Sequence, residues 1–106
     1  MSKNESPPRH PGEILKQDFI LPMGLTETAL AHALGVHPPR VNELVLKRRG
    51  VSADTALRLA RYFGGEPINW LLLQAKYDLH MAELAAGKEI EHKVKPRATV
   101  PKKNAR

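Results

Sequence analysis

The chain has 106 residues and a net charge of +6, and it contains no cysteine. This length corresponds to one domain, and the lack of cysteine excludes disulfides and thiolate metal ligands. No apolar run approaches the roughly 18 residues that a membrane span requires, and the N-terminus lacks an apolar signal-peptide core, so we expect a cytoplasmic protein.

The N-terminal region predicts a polar arm followed by one helix. Residues 1–8 are polar and contain two adjacent prolines, which favours a disordered segment. Pro11 stands where a helix would begin, and Leu15 and Phe19 are spaced to face the core together. The run 20–25 contains proline and glycine and ends this helix.

Residues 26–50 predict a helix, a tight turn, a second helix and a basic loop. Thr26 is suited to cap the first of these helices, and Gly35 to end it in a left-handed conformation. Pro38 opens the next helix without losing a helical hydrogen bond. Two helices joined by a short turn with glycine are typical of the helix-turn-helix, whose second helix lies in the major groove of DNA. The small Ala31 favours this over an ordinary helical hairpin, because a larger side chain would keep the helices apart.

Two further helices are predicted after the basic loop. Ser52 is a good N-cap for the fourth helix, and Pro67 opens the fifth. The buried side of the fourth helix is expected to contain Ala56, Leu57, Leu59, Ala60 and Phe63. The fifth helix is apolar on two sides, and such a helix usually buries both.

One apolar side of the fifth helix is expected to serve the domain's own core. The residues assigned to this core side are Ile68, Leu71, Leu72 and Ala75. In so small a domain the second side predicts a homodimer. The residues assigned to the dimer interface are Trp70, Leu73, Tyr77 and Met81.

The five helices predict an all-α domain over residues 9–86, followed by a basic flexible tail over residues 87–106. The tail holds +5 of the net charge of +6. With Pro96 and Pro101 it is expected to lack structure beyond about Gly87. A basic tail attracts phosphate through counterion release without reading sequence, or it is simply a solvated disordered end.

Five sequence blocks carry a resemblance to a known family. They are HPGEIL (10–15), GLTETALAHALGV (24–36), RVNELV (40–45), RRGVSADTALRLARYFG (48–64) and NWLLLQAKYDL (69–79). Over about residues 9–82 the chain resembles the HigA-type antitoxins, also described as virulence-associated protein I, in the XRE group of lambda-repressor-like helix-turn-helix proteins. The resemblance implies a five-helix lambda-repressor-like fold and a dimer that binds a palindromic double-stranded operator and represses its own operon. It also implies a HigB/RelE-like toxin partner, an endoribonuclease that cuts mRNA.

The chain departs from the family pattern at three places. Glu27 replaces a glutamine that in the family contacts a DNA phosphate, and a carboxylate would repel that phosphate. His37 and Pro39 fall where proline and a polar or basic residue are common, which would alter operator choice. The basic tail lies beyond the shared region.

Arg40 and Asn42 are the candidate base readers, because arginine pairs bidentately with guanine and asparagine with adenine. A phosphate contact is the alternative for Arg40. Glu43 either accepts a hydrogen bond from cytosine or forms an ion pair with a neighbouring arginine. The loop cations are expected to grip phosphates, which positions a protein without specifying sequence. The full set of predicted DNA contacts is Thr26, Thr28, His37, Pro39, Arg40, Asn42, Glu43, Lys47, Arg48 and Arg49.

Nothing in the sequence predicts an enzyme, a metal site or a cofactor. The five histidines form no pair at metal-binding spacing, and there is no glycine-rich phosphate loop. One alternative is a stand-alone repressor without a toxin, which the gene upstream would distinguish. Another is a toxin-binding module that no longer binds DNA; Glu27 favours it, and Arg40 with the basic loop argues against it.

Overall fold

The computed structural model describes residues 6–98. Residues 1–5 and 99–106, which belong to the predicted disordered arm and basic tail, lie outside this range. Within it the chain forms five helices and no strand, which confirms the all-α fold. We label them α1, which begins as an α-helix at Pro11–Ile14 and continues as a π-helix over Leu15–Ile20, α2 (Glu27–Leu34), α3 (Pro38–Val45), α4 (Ala53–Phe63) and α5 (Pro67–Lys93).

The predicted helix boundaries are confirmed at the caps. The Thr26 hydroxyl accepts from the N–H of Ala29 at 3.0 Å, and the Ser52 hydroxyl accepts from the N–H of Thr55 at 3.2 Å. Gly35 ends α2 with φ 73°, a left-handed value that a side chain would strain. The N–H of Val36 then donates back to the carbonyl of Ala31 at 3.0 Å, so the turn between α2 and α3 has the hydrogen bonding of a glycine-ended helix.

The core lies among the first four helices and the start of α5, which packs mainly on α4 and α1. Ala31 is fully buried, as the close crossing of α2 and α3 requires. The other buried apolar residues are Leu15, Ile20, Leu30, Leu34, Val41, Leu44, Val51, Ala56, Leu59, Ala60 and Trp70. Phe19, Phe63 and Trp70 form an aromatic group, with ring centroids 4.8 Å (Phe19 to Phe63) and 5.4 Å (Phe19 to Trp70) apart.

Two burial predictions for α4 and α5 are wrong. Leu57 was expected inside, but it is 61% exposed, because the core-facing stripe of α4 runs through Ala56, Leu59 and Ala60. On α5 the two faces are reversed. Trp70 is only 6% exposed and packs in the core, whereas Ile68 and Leu72 face outward.

The other α5 residues follow this reversal only in part. Leu73 is half-buried against the core, and so is Leu71, which was correctly assigned to that side. Tyr77 is half-buried, and its ring meets that of His10 at a centroid distance of 4.9 Å. Ala75 and Met81 are exposed. The helical periodicity of the sequence shows that two sides of α5 are apolar. It does not determine which of these sides packs on the other helices.

α5 also extends further than the sequence predicts. It continues through Gly87 and ends at Lys93, where the expected flexible tail should already have begun. The segment from Lys88 to Lys93 contains both acidic and basic side chains, and Lys93 pairs with Glu89 at 3.0 Å. Such a pair four residues apart supports a helix. No helix within residues 6–98 is long and apolar enough to cross a membrane.

The start of α1 packs directly on the end of α3. A Cβ at Gly12 would lie 1.8 Å from the carbonyl oxygen of Leu44, so only glycine permits this approach. His10 caps the helix from the other side, where its Nδ1 accepts from the N–H of Gly12 at 2.9 Å. His10 is itself buried, and burial is the main reason that its pKa is lowered; Lys47 lowers it further.

The contact at Gly12 predicts a large stability loss for Gly12→Ala. We expect a decrease of about 1–3 kcal/mol in the free energy of unfolding, since the added methyl must push α1 off the backbone of α3. The measurement is urea denaturation followed by circular dichroism. Gly87→Ala is the matched control, because its nearest neighbour would be Glu83 Cβ at 3.8 Å. That variant should gain roughly 0.5–1 kcal/mol as a helical glycine is replaced. Equal stability of Gly12→Ala and the wild type would contradict the contact.

His10 predicts acid sensitivity. Its Nδ1 must be unprotonated to accept the Gly12 N–H, and its pKa in the folded state is lowered from 6.5. Asp78 and Glu13 also act on it and oppose the lowering. The unfolded state therefore binds the proton more readily. This histidine's contribution to stability is complete above pH about 6.5 and is lost as the pH falls towards the folded-state pKa.

The measurement compares urea denaturation at pH 7.5 and pH 5 for the wild type and His10→Asn. Asparagine is a good N-cap acceptor that does not titrate in this range. We expect the variant to lose less stability on acidification than the wild type. The other histidines are common to both proteins, so the difference reports His10. An identical pH dependence in the two proteins would rule out this role.

Candidate nucleic-acid interface

The exposed face of α3 carries the predicted base readers. Val41 and Leu44 are buried against the core, so the residues between them face away from it. Asn42 is exposed, and Arg40 and Glu43 are partly exposed. His37 and Pro39 are exposed at the start of the helix.

The N-terminus of α2 lies beside this face. Thr26 and Thr28 are exposed there, and Glu27 reaches across to α3, where its Oε1 accepts from Asn42 Nδ2 at 2.9 Å. Its second oxygen, Oε2, accepts from Lys16 Nζ of α1 at 3.0 Å. We call the exposed residues of α3 and of the N-terminus of α2 the recognition surface. Its members are Thr26, Glu27, Thr28, His37, Pro39, Arg40, Asn42 and Glu43.

The charge of Glu27 is stabilised by these contacts. The hydrogen bond from Asn42 lowers its pKa most, and Lys16 lowers it further, against the opposing effect of partial burial. Glu27 is therefore ionised at neutral pH, but its charge is shared with a lysine. Sequence reasoning treated this residue only as a source of phosphate repulsion and did not find either partner.

A second charged group ties α3 to α4. Arg40 Nη1 lies 3.0 Å from Asp54 Oδ1, and Arg58 Nε lies 2.6 Å from the same oxygen. Hydrogen bonds from Arg58 and then from Arg40 are the main causes of the lowered pKa of Asp54. Arg58 Nη1 also donates to the carbonyls of Leu34 and Gly35, at 2.9 and 3.3 Å. Arg58 thus donates hydrogen bonds to the last carbonyls of α2, while Asp54 binds Arg40.

Asp54 and Arg58 were missed as parts of the site, although a signal was present. They stand four residues apart on one helix, the spacing at which an acid and a base meet. Their link to Arg40, 14 residues earlier than Asp54, depends on tertiary packing and has no local signal.

The basic loop after α3 is exposed and is held at both ends. Lys47 has φ 64°, a left-handed value that is uncommon for a residue with a side chain. Arg49 pairs with Glu43 at 2.7 Å, so Glu43 has the neighbouring arginine that was considered as its alternative partner. At the other end, the N–H of Val51 donates to Gln74 Oε1 of α5 at 2.8 Å.

Gln74 also constrains Gly50. A Cβ at Gly50 would lie 2.8 Å from Gln74 Cδ, so glycine leaves room for the amide that holds the loop. The predicted DNA contacts thus lie in three neighbouring groups, which are the N-terminus of α2, the exposed face of α3 and the basic loop. Among the predicted dimer contacts, Trp70 is in the core, Leu73 and Tyr77 are half-buried against the same body, and only Met81 is exposed.

This surface has the chemistry of a DNA-binding site. A short helix presents amide, guanidinium and carboxylate groups, which can read base edges in the major groove. Hydroxyls at a helix N-terminus and a loop of consecutive cations, Lys47, Arg48 and Arg49, flank it and can hold phosphates.

Comparisons with known proteins agree with this geometry. The helix-turn-helix family HTH_3 matches residues 15–71. Virulence-associated protein I of Dichelobacter nodosus is 59% identical over 81 residues, covering 76% of this chain and 75% of that protein. Antitoxin HigA-1 of Vibrio cholerae is 42% identical over 80 residues, covering 74% of each. The solved structure of Pseudomonas aeruginosa antitoxin HigA with the higBA promoter is 47% identical, with a TM-score of 0.81 over 84% of this chain and 97% of that one.

The position of Arg40 predicts a base-specific role. Arg40→Ala should weaken binding to the specific DNA site by about 1–3 kcal/mol and relax the preference at one base pair, as expected for loss of a bidentate contact. The measurement is fluorescence anisotropy with the specific site and with random DNA.

Arg61→Ala is the matched control for Arg40→Ala. Arg61 is an exposed arginine of α4 that lines the groove between α2 and α4 with Leu57 and Tyr62, away from α3. Loss of the same charge there should change binding to both DNAs only slightly. Equal weakening of Arg40→Ala on specific and random DNA would reduce Arg40 to a phosphate contact.

Proposed function

Because the chain belongs to the HTH_3 helix-turn-helix family and, within it, to the HigA-type antitoxins, we propose that it is the antitoxin of a type II toxin–antitoxin system. In this role it binds operator DNA to repress its own operon, and it binds and neutralises a HigB/RelE-like mRNA endoribonuclease. The role is one of binding rather than catalysis, and it places the protein in the cytoplasm with the DNA.

The observation that carries the DNA-binding part is the recognition surface together with the solved relative. The relative is a HigA bound to promoter DNA, and it aligns with 84% of this chain. The helix-turn-helix in our chain has its short turn, its buried crossing at Ala31 and an α3 face that is exposed. In our proposal α3 enters the major groove, and the N-terminus of α2 and the basic loop hold the flanking phosphates.

We propose a homodimer through the outward face of α5. Residues at intervals of three or four along this helix share one face, which runs almost its whole length. We call this face the outer stripe. Its members are Ile68, Leu72, Ala75, Leu79, Ala82, Ala86 and Ile90. The four large ones are each about half exposed or more, and Leu79 reaches 66%.

A second copy of the chain is the occupant that this stripe fits best. α5 has 27 residues and is therefore about 40 Å long, and its residues that pack in or against the core, Trp70, Leu71 and Leu73, lie near its start. Pairing with an identical stripe would cover leucine, isoleucine and alanine side chains along that length. A two-fold dimer would also present two α3 helices to a palindromic operator, with half-sites one helical turn apart. This places the interface on residues first expected in the core.

Leu79→Asp should therefore produce monomers. A carboxylate at the centre of the stripe would be buried without a partner in the dimer, which costs several kcal/mol. The measurement is light scattering coupled to size exclusion, with circular dichroism to confirm folding. Leu84→Asp is the matched control, since Leu84 is 70% exposed but lies on the opposite side of α5. We expect the control to remain dimeric. A dimeric Leu79→Asp protein would exclude this stripe as the interface.

The toxin-binding part of the proposal rests on relatedness to Antitoxin HigA-1. The test is co-expression with the small protein encoded beside this gene, followed by affinity purification and an mRNA cleavage assay. We expect a stable complex in which cleavage is suppressed. Operator binding without any such complex would favour the second candidate, a stand-alone XRE-family repressor. Complex formation without operator binding would instead indicate a toxin-binding module that has lost its DNA function.

A further inference from the structure

Glu27 is the least expected residue on the recognition surface, because a carboxylate near DNA normally weakens binding. Each of its two oxygens nevertheless has a definite partner. Oε1 accepts from Asn42 Nδ2 at 2.9 Å, and Oε2 accepts from Lys16 Nζ at 3.0 Å. These contacts join three helices, since Lys16 belongs to α1, Glu27 to α2 and Asn42 to α3.

The contact with Asn42 determines which way its amide faces. A carboxylate can only accept hydrogen bonds, so the amide nitrogen, and not the amide oxygen, must point towards Glu27. One N–H of Asn42 is used in this bond. The second N–H and the amide oxygen remain available on the exposed side of α3.

These two remaining groups match one base better than the others. Adenine presents N7 as an acceptor and its N6 amino group as a donor in the major groove, which an asparagine can bind with one N–H and its oxygen. Guanine presents two acceptors, N7 and O6, and would require two donors from an amide that has only one left. An asparagine held in this way favours adenine over guanine before any DNA is bound.

Lys16 provides the second half of the arrangement. Its ammonium group offsets the carboxylate charge, which reduces repulsion of nearby phosphates. The depressed pKa of Glu27 agrees with a carboxylate that stays ionised and keeps accepting from Asn42. Glutamine at this position could orient the amide less strictly, because its own side chain both donates and accepts.

We propose that Glu27 is a positioning residue that directs Asn42 towards adenine in the operator, with Lys16 as its counter-charge. This inference rests on the proposed DNA-binding function. It assigns Glu27 an effect on sequence preference rather than on overall affinity. A carboxylate that only repels DNA would lower affinity for every sequence and leave the preference unchanged.

The test uses Glu27→Ala, Asn42→Ala and the double variant, each with full-length protein. Binding is measured by fluorescence anisotropy on the operator and on duplexes with single base-pair changes. Asn42→Ala should lose the preference between bases at one position of the operator, and that position identifies the base pair that Asn42 contacts. At that same pair, Glu27→Ala should lower the preference for adenine roughly 3- to 10-fold, the effect of losing one hydrogen bond. The double variant should discriminate no worse than Asn42→Ala alone.

Asp18→Asn is the matched charge control. Asp18 is an exposed carboxylate of α1 that pairs with Arg9 at 3.2 Å and has no contact with Asn42. It should change affinity for all duplexes alike and leave the adenine preference intact. Glu27→Gln, which keeps a carbonyl acceptor for Asn42, should retain more of that preference than Glu27→Ala.

Three results would overturn the inference. Tighter binding of Glu27→Ala to every duplex with unchanged discrimination would show that Glu27 only repels DNA. An Asn42→Ala protein that discriminates like the wild type would show that Asn42 reads no base. A wild-type protein without any sequence preference would also overturn the proposed function, whereas the first two results leave it standing.

Discussion

The contact between the start of α1 and the last turn of α3 is the constraint on which the domain most depends. There is no space for a Cβ between Gly12 and the carbonyl of Leu44, so the two backbones touch. His10 caps α1 at this point and rests its ring on Tyr77 of α5. One short motif thus fixes the position of α3 relative to both α1 and α5.

Charged side chains add further contacts between α3 and its neighbouring helices. Asp54 receives Arg40 from α3 and Arg58 from its own helix, and Arg58 continues to the carbonyls that end α2. Such exposed pairs contribute little to stability individually. Their value lies in geometry, because they restrict where the arginine of α3 can point. Glu27 does the same for Asn42, so both predicted base readers are oriented by partners outside α3.

Local signals explain which features could be predicted from the sequence. Caps such as Thr26 and the left-handed Gly35 depend on a few neighbouring residues, and the structure confirms them. The face of α5 that packs on the core could not be predicted in this way. Both sides of this helix are apolar, and Trp70 turns inward against the aromatic group around Phe19, which is distant in the sequence. The partners of Glu27 were equally out of reach, because they lie 11 and 15 residues away along the chain.

The hold of Gln74 on the basic loop has a consequence for how this domain can diverge. The amide fills the space that a side chain at Gly50 would need, and it satisfies the N–H of Val51. A larger residue at position 50 would displace the end of the Gln74 side chain and disturb its hydrogen bond with the N–H of Val51. A change at position 50 therefore also alters how the loop is held to α5. The face of α3 is constrained in a similar way, because Arg40, Asn42 and Glu43 each pair with a residue outside the helix, and a new side chain at any of these positions changes a contact with α4, α2 or the basic loop.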